Sequence, residues 1–195
     1  MQNAKCKMGT VQRRNVRSFF CILNLTFCMA VTSQASATVL LPADFTTLVT
    51  ASGTIVHGRV TDVQSALSGP RRTIESVVTI TVLEAIKGTV GPTVSFQVPN
   101  GQVGRYRRVL VGAPEFVPGD EVVVFMKGRA PALPSLFGLS QGVYRVKRDA
   151  AARGVVAPPP AAVAGQRVVR GDPTRSLMPI EAFTREIREM LAYAP

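Results

Sequence analysis

The sequence of 195 residues predicts a mainly β fold: a small antiparallel barrel of five to six strands, with a short helix before it and an amphipathic helix at the end. Three patterns carry that prediction. Ile74–Ile86 alternates, with Ile74, Val78, Ile80, Val82 and Ile86 on one side and Val77, Thr79, Thr81, Leu83 and Ala85 on the other. Side chains alternate across a strand, so the first set is the core face, with Ser76 and Glu84 as polar exceptions. Second, Val122–Met126 is a continuous apolar run of strand length, the pattern of a strand buried on both faces. Third, Ile180, Phe183, Ile187, Met190 and Leu191 fall at helical spacing.

In chain order, Leu41–Ser52 places Phe45, Leu48 and Val49 on one helical face, with Pro42 in the first turn and Gly53 at the end. Thr54–Val63 is the first strand. Its Val56, Gly58 and Val60 share one face, while His57, the single histidine, sits beside Arg59 on the more polar face and is expected to meet solvent. Gln64–Arg72 is polar, with Gly69-Pro70, and predicts a long loop with a basic tip leading into the central strand. Lys87-Gly88 and Gly91-Pro92 end that strand. Thr93–Val98 points Val94, Phe96 and Val98 inward, and Pro99-Asn100-Gly101 is a turn.

Gln102–Gly119 reads as a long connection, followed by a strand at Glu121–Lys127 and a loop at Gly128–Pro134. Leu136–Leu139 and Val143–Lys147 read as hairpin arms around Ser140-Gln141-Gly142. Residues 149–176 form an Ala/Gly/Pro-rich linker, whose part 149–165 reads as a mobile linker or surface arm, with a short extended piece at Arg167–Arg170. The closing helix spans Pro179–Ala192, with Glu181–Arg185 and Arg185–Glu189 as expected i,i+4 pairs. The division expected is thus a leader at 1–37, a barrel at 38–148, a linker at 149–176 and a helix at 177–195 that packs on the barrel. No internal repeat is evident.

The leader carries Lys5, Lys7, Arg13, Arg14 and Arg17, then the apolar run Ser18–Val31, then Ala35-Ser36-Ala37. A basic start, a short apolar stretch and a small-x-small site are the parts of a secretory signal peptide. The run is too short to favour a spanning helix. An uncleaved anchor is the alternative, a lipid anchor on Cys28 is disfavoured by the bulk of Phe27, and Arg13-Arg14 raises the twin-arginine route. Cleavage after Ala37 leaves 158 residues and removes all three cysteines, Cys6, Cys21 and Cys28. The expected product is periplasmic or extracellular and has no transmembrane span. Its charge is 18 Lys and Arg against 12 Asp and Glu, a net +6 rather than the +11 of the whole chain. That excess favours solubility and weak attraction to anionic surfaces more than nucleic-acid binding.

The phrases VHGRVTDV, TITVLEAIKG, VSFQVPNG and PGDEVVVFMKG resemble the secreted OB-like barrel of tissue inhibitors of metalloproteinases and netrin-type modules. That pattern is a strand ending in Gly-x-Val, a strand ending in Lys-Gly, and a Gly-Asp/Glu turn into an apolar strand. The chain also resembles a group of uncharacterised secreted bacterial proteins in GAPEFVPGDEVVVF, GLSQGVYRV and IEAFTREIREML. The resemblance spans roughly Phe45–Lys147 and the last helix. It implies an OB-like barrel that binds another protein. The inhibitors' zinc-chelating N-terminal cysteine has no counterpart, because no cysteine follows Thr38.

The residue inventory argues against catalysis. A zinc site needs three or four His, Cys or carboxylate ligands, and one histidine without cysteine does not supply them. A Ser-His-Asp triad would require His57 with Ser76 or Ser140, and no nucleophile-elbow pattern surrounds a serine. Gly101-Gln102-Val103-Gly104 lacks a third glycine, a following helix and a P-loop lysine. Asp120 and Glu121 are strand neighbours that point to opposite faces, unsuited to glycoside cleavage. No cofactor is implied. Arg105, Tyr106, Arg107 and Arg108 form the most suggestive cluster, with Arg71 and Arg72 on the same rim if both loops cap one end of the barrel. Such a rim binds anionic polymers by charge and stacking. The expectation is an exported, non-catalytic module for another protein of the envelope or medium. The alternative is a binder of an anionic envelope glycan or lipid through those arginines; nucleic acid is the less suited polyanion.

Overall fold

The computed structural model describes residues 43–70, 72–128, 131–162, 168–170 and 175–193. The expected leader, Pro42 and Arg71 lie outside them, as do parts of the expected linker. The elements in order are α1 (Phe45–Ala51), β1 (Thr54–Ser68), β2 (Thr73–Lys87), β3 (Thr93–Val98), β4 (Gly101–Val103) and β5 (Tyr106–Arg108). Then follow β6 (Glu121–Lys127), β7 (Ser135–Leu136), β8 (Val143–Arg148), β9 (Gly154–Ala157), β10 (Pro160–Ala162), β11 (Val168–Arg170), β12 (Met178–Pro179) and α2 (Ile180–Tyr193).

Five strands close on themselves in the order β1, β2, β3, β7, β6 and back to β1. Every pairing in that circuit is antiparallel except the bridge of Gln97 to Ser135, where β3 and β7 run parallel. The result is the small, mainly β barrel expected, of OB-like form, with one helix before it and one after it. No described helix is long and apolar enough to cross a membrane.

β6 is covered on both faces, as its unbroken apolar run requires. Val122, Val124 and Met126 face the barrel interior with Val78, Ile80 and Phe96. Val123 and Phe125 face a second core, where Phe45 of α1 and Phe183 of α2 meet Tyr144. The Tyr144 and Phe183 rings lie 4.9 Å apart. α2 buries Ile180, Phe183 and Ile187, the stripe read from its spacing. Neither expected intrahelical ion pair forms; Arg188 instead pairs with Glu84 of β2, and Glu186 with Arg175, whose guanidinium stacks 3.2 Å from the Phe45 ring centroid. Exposed i,i+4 pairs contribute only about 0.2–0.5 kcal/mol, too little to hold Arg185 in one rotamer.

The Lys87-Gly88 stop has a structural task. Asp44 starts α1 by accepting a hydrogen bond from the Thr47 amide, 2.6 Å. Lys87 finishes it, its Nζ donating to the carbonyls of Val49 and Thr50, both at 2.9 Å. A cation at a helix C-terminus satisfies carbonyls that the helix itself leaves bare.

Three readings need correction. The expected Gln64–Arg72 loop is mostly strand: β1 and β2 are 15 residues each, paired out to Ser68 and Thr73, with Gly69, Pro70 and Arg72 in the turn. Beyond Val63 the β1 half of this arm is mostly polar and exposed, so the hydrophobic alternation that marks a strand fades there, while β2 keeps it, with Ile74 and Ser76 buried. The expected hairpin of residues 136–147 does not form. Leu136 pairs with Met126, and Val143 with Val124, so β7 and β8 lie end to end along one edge of β6. They are one strand interrupted by the 3-10 turn Leu139–Gly142. The buried edge of β6 offers each half a better partner than the other half does. Part of the stretch expected as a mobile linker or surface arm forms strands: β9 pairs with β8, and β10 with β11. Backbone pairing to a sheet edge needs no large side chains, so Ala and Gly content did not forbid it.

Gly58 marks a close approach of β1 to β2. β1 shifts register between His57 and Gly58. A Cβ at Gly58 would lie 2.6 Å from the Thr81 carbonyl oxygen. Gly58→Ala should therefore lower stability by about 1–3 kcal/mol through overpacking, measured by urea unfolding.

Candidate functional site

The arginine cluster is organised by a hairpin inside what reads as connection. Asn100 turns the chain, its amide donating to the Val98 carbonyl at 2.9 Å. β4 and β5 then pair, with Gly101 opposite Arg108 and Val103 opposite Tyr106. This hairpin leans on the outer half of β1 and β2. Ser65 and Ser76 hydroxyls meet at 2.9 Å, Ser76 donates to the Asn100 carbonyl at 2.7 Å, and the Gln102 amide donates to Ser65 at 3.3 Å. Gly101 has φ +148, and a Cβ there would sit 2.5 Å from Ser76 Oγ and 2.6 Å from Ser65 Oγ.

The hairpin thus stands next to the β2 segment that begins just after Arg72. Arg108 donates to the Ile74 carbonyl at 3.2 Å and faces Glu75 at 3.7 Å. Arg107 pairs with Glu115. Arg105 donates to the Tyr106 hydroxyl at 2.9 Å and lies 5.1 Å from that ring's centroid. Arg72 is exposed in the turn, with φ 48, and pairs with no carboxylate among the described residues. Arg105, Tyr106, Arg107 and Arg108 thus share the β4–β5 hairpin, which meets β2 two residues beyond Arg72 at Ile74, and Arg107 and Arg108 are paired with carboxylates.

The sequence reading missed the apolar part of this region. After β5 the chain is held at several points: Asn100 Nδ2 donates to the Pro114 carbonyl at 2.8 Å, the Ser140 amide to the Gly112 carbonyl at 2.9 Å, and the Val117 amide to Asp120 Oδ2 at 3.1 Å. Phe116 anchors the segment in the barrel, its ring 5.4 Å from Phe96. Yet Tyr106 is 62% exposed, Val109 68%, Val111 84% and Val117 62%. A cleft of about 380 Å³ lies between this segment, the β4–β5 hairpin and the arms of β1 and β2. A second, about 550 Å³, lies on the other side, toward β8 and Pro158-Pro159. The available signal was RVLVGAPEFVPG, a non-strand stretch with more large apolar residues than a solvated loop requires.

His57 is not solvent-facing as expected: it is 8% exposed, and its Nε2 lies 3.0 Å from Glu121 Oε1. The face assignment was correct, but β6 brings a carboxylate over it. Arg59 and Arg148 donate to Glu121 Oε2, each at 3.1 Å. No hydroxyl or thiol of the described residues hydrogen-bonds the His57 ring. Burial works to raise the Glu121 pKa, but the hydrogen bonds from Arg59 and His57, with the charges of His57 and Arg148, outweigh it and hold the carboxyl below the usual range.

Two outcomes follow. A carboxylate held low in the folded state stabilises above its unfolded pKa, roughly 4.3, and that stability fades as pH falls through the lower folded value. Glu121→Gln should remove the part of the acid-side stability loss that comes from this group, read as a flatter pH dependence of the unfolding midpoint below about pH 4.5. Gly101→Ala should displace the β4–β5 hairpin from Ser65 and Ser76 without opening the barrel, seen as amide chemical-shift changes confined to residues near 65, 76 and 101–108.

No protein-family model, curated protein or solved structure matches the chain. What stands is a closed five-strand barrel compatible with an OB-like fold.

Proposed function

We propose that this protein is an exported, non-catalytic module that binds another protein of the cell envelope or medium through the face formed by Tyr106, Val109 and Val117. The observation that carries the reading is an apolar surface on a segment whose backbone is already fixed: these side chains are 62–68% exposed while the chain beside them is pinned at Asn100, Phe116 and Asp120. Preorganised apolar and aromatic side chains lose little entropy on binding, which is what an interface anchor needs. The flanking Arg72 and Arg105 supply a polar rim. The single histidine is engaged by Glu121, so the one residue on which a hydrolytic reading depended has a structural partner. The resemblance to metalloproteinase inhibitors and netrin modules adds the precedent of a barrel that binds proteins, without the inhibitors' cysteine. Export rests on the composition of residues 1–37.

The alternative, an anionic glycan or lipid held by the arginine rim, retains Arg72 and Arg105, which lack carboxylate partners among the described residues. Arg107 and Arg108 are already paired with Glu115 and Glu75, so the rim is weaker than its arginine count implies.

Immobilised protein should capture a protein from envelope and medium extracts and hold it through high salt. The double variant Val109→Asp, Val117→Asp should weaken that capture more than about tenfold, as loss of a central anchor does. Elution of glycan or lipid at low salt, insensitive to the double variant, would overturn the reading in favour of the rim.

A further inference from the structure

We propose that the cleft between residues 111–115, β8 and residues 157–159 is a small-molecule site for a single-chain amphiphile carrying one negative charge, of the class of free medium-chain carboxylic acids. The cleft holds about 550 Å³. That lies within the roughly 300–1,000 Å³ typical of ligand sites. Val111, Ala113, Pro114, Val143, Ala157 and Pro158 supply apolar walls.

The charge of the occupant follows from the charged groups that line the cleft, Glu115, Arg145 and Lys147. The Glu115 carboxylate is engaged by Arg107. Arg145 donates to Asp120 and to the Glu115 carbonyl, and stacks 5.9 Å from the Phe116 ring centroid. Lys147 makes no hydrogen bond or ion pair among the described residues. The cleft is therefore left with one uncompensated cation beside an apolar wall. One anionic head on an apolar tail satisfies both. A polyanion would find a single partner for many charges, and a cationic amphiphile would place like charge against Lys147. The inference is independent of the protein-binding face, which uses Tyr106, Val109 and Val117.

The test is an NMR titration of the nitrogen-labelled protein with decanoate below its micelle concentration. Parallel titrations use 1-decanol, decyltrimethylammonium and phosphatidylglycerol vesicles. Decanoate should move the amides of Gly112, Lys147 and Ala157, decanol should move them less, and decyltrimethylammonium not at all. Lys147→Met should weaken decanoate about three- to fivefold, the worth of an exposed ion pair. Val111→Asp changes a side chain that is 84% exposed, so the fold is kept and a carboxylate is set at the mouth. It should weaken decanoate further. No shift with decanoate, an equal response to the cationic amphiphile, or an affinity unchanged by Lys147→Met would overturn the proposal. Shifts seen only with vesicles would overturn it in favour of a membrane headgroup.

Discussion

The structure depends on the burial of one short strand. β6 gives Val122, Val124 and Met126 to the barrel and Val123 and Phe125 to the helices, and all five are essentially inaccessible to water. Its edges are equally committed, to β1 on one side and to β7 and β8 on the other. A strand covered on four sides has little freedom of register, because a shift by one residue would exchange its two apolar faces and break both edges together. The positions of the N-terminal helix, the C-terminal helix and the interrupted strand all follow from filling those four sides. Glu121, at the start of β6, fixes the polar end in the same way by gathering His57 and Arg59 from β1 and Arg148 from β8.

Much of this was legible. Unbroken apolarity over Val122–Met126 announced two covered faces, and alternation in Thr93–Val98 gave the inward set, of which Phe96 and Val98 are fully buried. The stripe from Ile180 to Leu191 gave the helix and its buried face. What could not be read was pairing that leaves no mark on hydrophobicity. The outer half of β1 is mostly polar, and the face it shares with β2 at Ser65 and Ser76 is covered by the β4–β5 hairpin through hydroxyl hydrogen bonds, not by apolar side chains. β9 is held by the backbones of β8 and β12 and by one core side chain, Val156, too few apolar residues to stand out in an Ala- and Pro-rich stretch. Residues 136 and 143 are near in sequence and carry strand-forming side chains, so a hairpin was the local solution; the deeper edge of β6 overrode it.

The candidate site divides along the same line. Charge is conspicuous in a sequence, so Arg72 and Arg105 to Arg108 were named, and Arg108 reaches Ile74 and Glu75, just beyond Arg72. Compensation is not conspicuous: that Glu115 and Glu75 neutralise two of them depends on contacts across 8 and 33 residues of chain. Exposed valines are still harder to see, because an apolar residue in a connection reads by default as buried. Only the pinning of that segment by Asn100, Phe116 and Ser140 shows that Val109, Val111 and Val117 are held outward.

The route by which β6 reaches its place has a kinetic side. The β1–β2 hairpin is local and can pair as soon as Lys87 has been made. The closing edge is not local: His57 and Glu121 are 64 residues apart in the chain. Loop closure over such a distance is slow compared with hairpin formation. Val56 and Val60 lie on a strand whose second edge is completed only by the seven residues of β6, far along the chain. A chain that has paired β1 with β2 but not with β6 presents an unpaired edge from Thr54 to Arg59, the edge that β6 covers in the finished barrel.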